Sequence, residues 1–248
     1  MHAPSPRTGA ASLQGNVHPV AVPRRMSAVW LRGMLYGVAA FFAALVVLVL
    51  WFAIARPVQV LPRIEPAPAF MLTDQDGRWV SDTDLRGHVL LINFTYTRCG
   101  ERCAAMERSM RTIYEMLHAD GRLGSQVRMV TITVDAHGDT PPVLRAYAAR
   151  LGVATSGWVF LTGSDRELKQ LIGGGYGVYY RIEGDDVELD QRAVLVDETG
   201  LLRAEYDGVR LNPAIVMRDI GLVEQEANSS EAARPIYEMA HLFVCYPR

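Results

Sequence analysis

Cysteine is scarce in this chain: of 248 residues only Cys99, Cys103 and Cys245 are cysteines. Three are too few for a disulfide-stapled scaffold, and an odd number leaves one without a partner. Charge of one sign is also missing. With 25 basic residues against 27 acidic ones, there is no basic excess of the kind that marks a nucleic-acid partner. No internal repeat is present. Gly173-Gly174-Gly175 is not followed by Gly-Lys-Ser/Thr, which excludes that type of phosphate loop. Met106, Met110, Met116 and Met129 fall at core-like positions rather than in a copper-carrier cluster.

What is present begins with an uncharged run from Gly33 to Ala55, bounded by Arg32 and Arg56. As a helix it would be about 34 Å long, enough to cross a membrane core. Trp51, Phe52 and Ile54 continue the run to its end, which favours a retained anchor over a cleaved signal. Arg7, Arg24, Arg25 and Arg32 precede the span, so the positive-inside rule puts residues 1–32 in the cytoplasm as a disordered tail. Everything after the anchor then lies in the periplasm of a bacterium, tethered to its inner membrane, where disulfides persist. Residues 56–68 hold Pro57, Pro62, Pro66 and Pro68 and read as a semi-rigid spacer.

Residues 69–225 read as one α/β domain with a thioredoxin-like fold, a central mixed sheet flanked by helices, and residues 226–248 as a helical extension. Val89 to Phe94 suits a buried parallel strand, and Ala104 to Leu117 has an apolar row at Met106, Met110, Ile113 and Leu117. Val127 to Val134 supplies a second buried strand, giving a right-handed βαβ unit. Cys99 and Cys103 therefore straddle a helix start at the carboxyl edge of the sheet, where catalytic groups collect. A helix N-terminus stabilises anions, so the pair has thiolate character, fit for nucleophilic chemistry or for a soft metal.

Phe70 to Gly77, Asp84-Leu85-Arg86-Gly87, Asn93 to Cys103, Val134-Asp135 with Asp139-Thr140-Pro141, Leu161-Thr162-Gly163 and Tyr176 to Tyr180 together resemble the Sco/SenC family. The resemblance implies a membrane-anchored, thioredoxin-like protein that delivers copper to, or reduces the cysteines of, the dinuclear copper centre of cytochrome c oxidase. It also implies copper held by Cys99, Cys103 and a histidine just before the late hairpin. There the chain departs from the family, carrying Glu188-Leu189-Asp190-Gln191 with no histidine. Two thiolates satisfy Cu(I) better than Cu(II), so Cu(I) is the expected cargo.

Two alternatives stand beside copper delivery. One is a thiol–disulfide oxidoreductase that reduces a partner's cysteines without stable copper binding, with Cys99 attacking and Cys103 resolving; the other is a redox or copper sensor. His241 and Cys245, four apart on an expected helix, are candidates to replace the missing ligand. His137, in the loop after the second strand, is a weaker one. The expected partner is a respiratory copper protein such as a cytochrome c oxidase subunit.

Overall fold

The computed structural model describes residues 28–55, 59–153, 157–184, 186–208, 211–231 and 233–243, and the chain divides into two compact units, Met1–Ala55 and Arg56–Arg248. The first contains helix α1, Ala28–Ala55. Its stretch Arg32–Trp51 has a mean hydropathy of 2.5 and is long and apolar enough to cross a membrane.

In the second unit β4 (Val89–Thr95) is buried at every position. It pairs in parallel with β5 (Val127–Thr133) and antiparallel with β9 (Arg192–Val196). β6 (Trp158–Thr162) extends the sheet beyond β5, followed by the antiparallel hairpin of β2 (Met71–Asp74) and β3 (Trp79–Ser81). On the other side β10 (Leu201–Asp207) follows β9, and β1 (Glu65–Pro66) closes that edge. Hairpin turns carry Gly77 and Gly200, both with positive φ, as Asp-Gly-type and Thr-Gly turns require.

Alternation along β4 builds two cores. Val89 and Leu91 face a layer formed by α2 (Ala104–Ala119), α3 (Pro141–Leu151) and α5 (Pro213–Ala227). Leu90, Ile92, Phe94 and then Tyr96 face the opposite side. That side is covered by the short helix α4 (Asp165–Leu168), which continues through a π-turn over Lys169–Gly175, and by a separate two-stranded hairpin of β7 (Tyr180–Glu183) and β8 (Asp186–Leu189). The three consecutive glycines lie in this π-turn, and the β7–β8 hairpin turns at Gly184, whose φ is positive as a two-residue hairpin loop requires.

The spacer expectation fails over its described part. Val60 and Leu61 are each 1% exposed, and Glu65–Pro66 pairs with Leu202 and Leu201 of β10. Proline is tolerated there because an edge strand does not need its N–H. Val60 and Leu61 bury against the domain rather than standing clear of it.

One buried cation ties this edge together. Arg203, its side chain 3% exposed, pairs with Asp197 at 3.0 Å and Glu226 at 2.6 Å and donates to the carbonyls of Leu61 and Pro62. Glu226 also takes Arg63 at 2.8 Å and His241 at 2.9 Å. His241 belongs to α6 (Arg234–Phe243), whose Tyr237 and Ala240 pack on Val60. Burial pushes the Glu226 carboxyl up, but hydrogen bonds from Arg203, His241 and Arg63 outweigh it and hold it below the usual range.

Because the folded-state value is depressed, the stability Glu226 contributes is present above the ordinary carboxylate pKa of about 4.3 and is lost as pH falls through the lower folded value. Glu226→Ala should cost about 3 kcal/mol, the low end for breaking a buried pair, since Asp197 remains on Arg203. Denaturant titrations at neutral pH and below pH 4 check both points: the variant should lose less stability on acidification than the native chain.

Candidate functional site

β4 delivers its chain directly into the cysteine turn. Cys99 N-caps a 3-10 turn over Gly100–Arg102, in which Gly100 adopts a φ of +60°, and Cys103 N-caps α2. The Cys99 N–H donates to the Tyr96 carbonyl at 3.1 Å, and the Glu107 N–H to the Cys103 carbonyl at 2.9 Å. Cys99 and Cys103 are joined as a disulfide with Cα atoms 5.6 Å apart. They are 8% and 4% exposed.

The loop after β5 holds the turn in place. Asp139, fully buried, accepts from the Thr97 N–H at 2.9 Å and from the hydroxyls of Thr97 and Thr133. Asp135 accepts from Arg98 at 2.9 Å and from the Gly138 N–H at 2.8 Å. Burial raises the Asp135 carboxyl, yet the Gly138 and Arg98 hydrogen bonds win and lower it. From the other side Arg102 donates to the Val187 carbonyl at 3.1 Å, while the Gln191 amide donates to the Arg102 carbonyl. Val187 belongs to the apolar cluster that contains both cysteines, and Leu189 packs against it.

A groove of about 520 Å³ opens beside the disulfide, lined among others by Cys99, Cys103, Glu107, Tyr147 and Arg150. The Tyr147 hydroxyl donates to Glu107 at 2.9 Å. Burial, then the Glu107 charge and its hydrogen bond, push that phenol well above its ordinary value. The Tyr96 hydroxyl is buried and has no hydrogen-bond partner among the described residues.

Of the expected site residues that lie among the described ones, the structure brings together Cys99 and Cys103 alone. His137 is exposed and meets Asp165 at 2.7 Å. His241 sits with Glu226 and Arg203 beside the C-terminal end of β9. In the antiparallel register Val196 lies opposite Leu90, at the start of β4, whereas the cysteines follow that strand's other end. His241 is thus not brought to the thiols, because its ion pair anchors α6 to the opposite edge. Cys245 lies outside the described residues, among which no group of three His, Cys, Asp or Glu side chains could hold a metal. Asp139, Gln191 and the Tyr147–Glu107 pair were missed, since each contacts the turn or its helix across long sequence separations. The Asp139-Thr140-Pro141 motif entered only as one of the segments that carry the family resemblance.

Known proteins resemble the chain over most of this unit. The SCO1/SenC family model matches residues 62–223. A SCO1 protein homolog from Bacillus subtilis (strain 168) is 31% identical over 153 residues, which is 60% of this chain and 76% of the relative. The solved structure of BsSco, a member of the Sco family of cytochrome c oxidase assembly proteins in which a disulfide switch has been identified, gives a TM-score of 0.60 at 28% identity, covering 67% of this chain and 97% of that one. Bradyrhizobium japonicum ScoI with copper bound gives 0.53 at 25% identity, covering 64% and 99%. The fold is thioredoxin-like, as the sequence pattern predicts.

Asp139→Ala should strand buried donors from Thr97 and Thr133 and cost about 3 kcal/mol. It should also let dithiothreitol reduce the nearly buried disulfide faster than in Ile113→Ala, a core variant that controls for general destabilisation. Equal reduction rates in the two variants would show that Asp139 does not hold the turn.

Proposed function

The chain belongs to the SCO1/SenC family, and from that premise we propose that it is a membrane-anchored periplasmic protein whose Cys99 and Cys103, once reduced, bind copper for assembly of a respiratory copper centre. The observation that carries this reading is the pairing of two cysteines at a strand-to-helix turn on the sheet edge. Reduced, they supply two soft thiolate donors, and the amino end of α2 offsets their charge. Copper is the cargo here, to be received and passed on.

The anchor reading is supported by α1 and by the arginines that precede it. Copper binding is supported by ScoI, which is described with copper bound. The family resemblance expects a histidine at or beside Leu189, which packs against the cluster that contains the two cysteines. A leucine offers no donor, so Cu(II), which needs a nitrogen beside sulfur, loses more than Cu(I).

A second reading, thiol–disulfide exchange with a partner's cysteines, is favoured by the Cys99–Cys103 bond itself and by the disulfide switch of BsSco. In it Cys99 attacks and Cys103 resolves.

Loading the reduced protein with Cu(I) should leave about one copper per chain, and loading a Cys99→Ser, Cys103→Ser variant none. Cu(II) should give a faint thiolate-to-copper absorption band that becomes intense in Leu189→His. Retention no greater than in the double serine variant would sink the copper reading. For the exchange reading, a redox titration should reveal a reversible two-electron couple between the glutathione and strong-oxidant ranges; an inert pair would remove it.

A further inference from the structure

The groove beside the disulfide contains a guanidinium that neither the turn nor the core uses up. Arg150, exposed in the last turn of α3, stacks 4.7 Å above the Tyr147 ring. Its Nη2 donates to the carbonyl of Thr97 at 3.4 Å, two residues before Cys99. A guanidinium has five N–H donors in a planar fork, and among the described residues no carboxylate pairs with this one. The other charges at the groove are differently placed. Arg98 is committed to Asp135, Glu107 is engaged by the Tyr147 hydroxyl, and Glu101 is exposed on the 3-10 turn. Stacking and the carbonyl have already fixed Arg150, so little further ordering is lost when it takes a partner.

Both cysteines are nearly buried yet line this groove, so an attacking thiol must arrive along it. About 520 Å³ admits a few residues of extended chain. We propose that the groove docks a cysteine-bearing segment of a partner polypeptide, and that Arg150 selects it by pairing with an Asp or Glu carboxylate flanking that cysteine. The proposal rests on the exchange reading, which runs in either direction through one mixed disulfide; entered from the disulfide present here, Cys99 is the sulfur attacked, and the proposal adds a specificity-determining residue.

The partner thiolate attacks Sγ of Cys99, the more exposed of the two. The bond to Cys103 breaks, and Cys103 leaves as a thiolate that takes a proton from solvent. A second partner thiol, losing its proton to solvent, then attacks the partner's sulfur in the mixed disulfide. The partner ends as a disulfide, oxidised by two electrons, and Cys99 and Cys103 end as the reduced pair.

The test uses the oxidised full-length protein in detergent and three synthetic peptides with one cysteine flanked by Asp, Asn or Lys. Formation of the mixed disulfide is followed by mass. At low salt the Asp peptide should react about tenfold faster than the Lys peptide, and the gap should close at about 1 M salt. Arg150→Gln should abolish the preference and Arg150→Glu should reverse it. Equal rates for the peptides, a faster Lys peptide, or a preference unchanged in both variants would overturn the proposal. Uncharged dithiothreitol separates the two levels. A normal rate with it alongside equal peptide rates overturns the Arg150 role alone, whereas no reaction overturns the exchange reading and this proposal with it.

Discussion

β4 is paired along both edges and buried on both faces, which leaves its chain no freedom in where it ends. Its side chains alternate between the two cores, so a shift by one residue would exchange them. The strand must leave the sheet after Thr95, and Asp139 then takes the Thr97 N–H and two hydroxyls. That buried carboxylate is saturated with donors, as a buried polar group must be. The cysteine turn is thus fixed from behind by the strand and from the side by Asp139. Arg102 and Gln191 fasten it to the β7–β8 hairpin and the segment following it.

The two ends of the sheet solve opposite problems. At the cysteine edge, buried sulfur needs to remain reactive, and the polar groups around it act on the backbone of the turn rather than on the sulfurs. At the other edge, Arg203 is buried outright and is neutralised by Asp197 and Glu226, which in turn gather Arg63 and His241. That network binds the segment following residue 59 and the final helix α6 to the domain, so both chain extremes of this unit meet at one edge. The polar histidine is consumed by structure there.

Local patterns were legible where the physics is local. The apolar run Val89 to Phe94, the α2 row of Met106, Met110, Ile113 and Leu117, and the Asp-Gly turn at Gly77 carried their structures in their spacing. The cysteine pair was legible because its four-residue spacing at a helix start is itself the geometry. His241 misled for the converse reason: helical spacing says which face a residue shares, but not which end of a sheet the helix reaches. That end is chosen by Glu226 and Val60, far away in sequence. Residues 56–68 misled because their four prolines masked the weight of Val60 and Leu61, although those two side chains decide where the described part of the segment lies.

The apolar cluster that contains both cysteines also bears on which chemistries the site tolerates. Val187 belongs to that cluster and Leu189 packs against it, and in such surroundings two adjacent thiolates would be costly to bury and would repel one another. The dipole of α2 offsets one such charge more readily than two. Two outcomes relieve the excess: oxidation to a neutral disulfide, as in this structure, or a Cu(I) ion that leaves the pair with a single net negative charge. In the proposed function, disulfide exchange and Cu(I) carriage would therefore be two responses of the same buried pair to one electrostatic constraint, and a change that eases burial of the dithiolate should weaken the drive toward both.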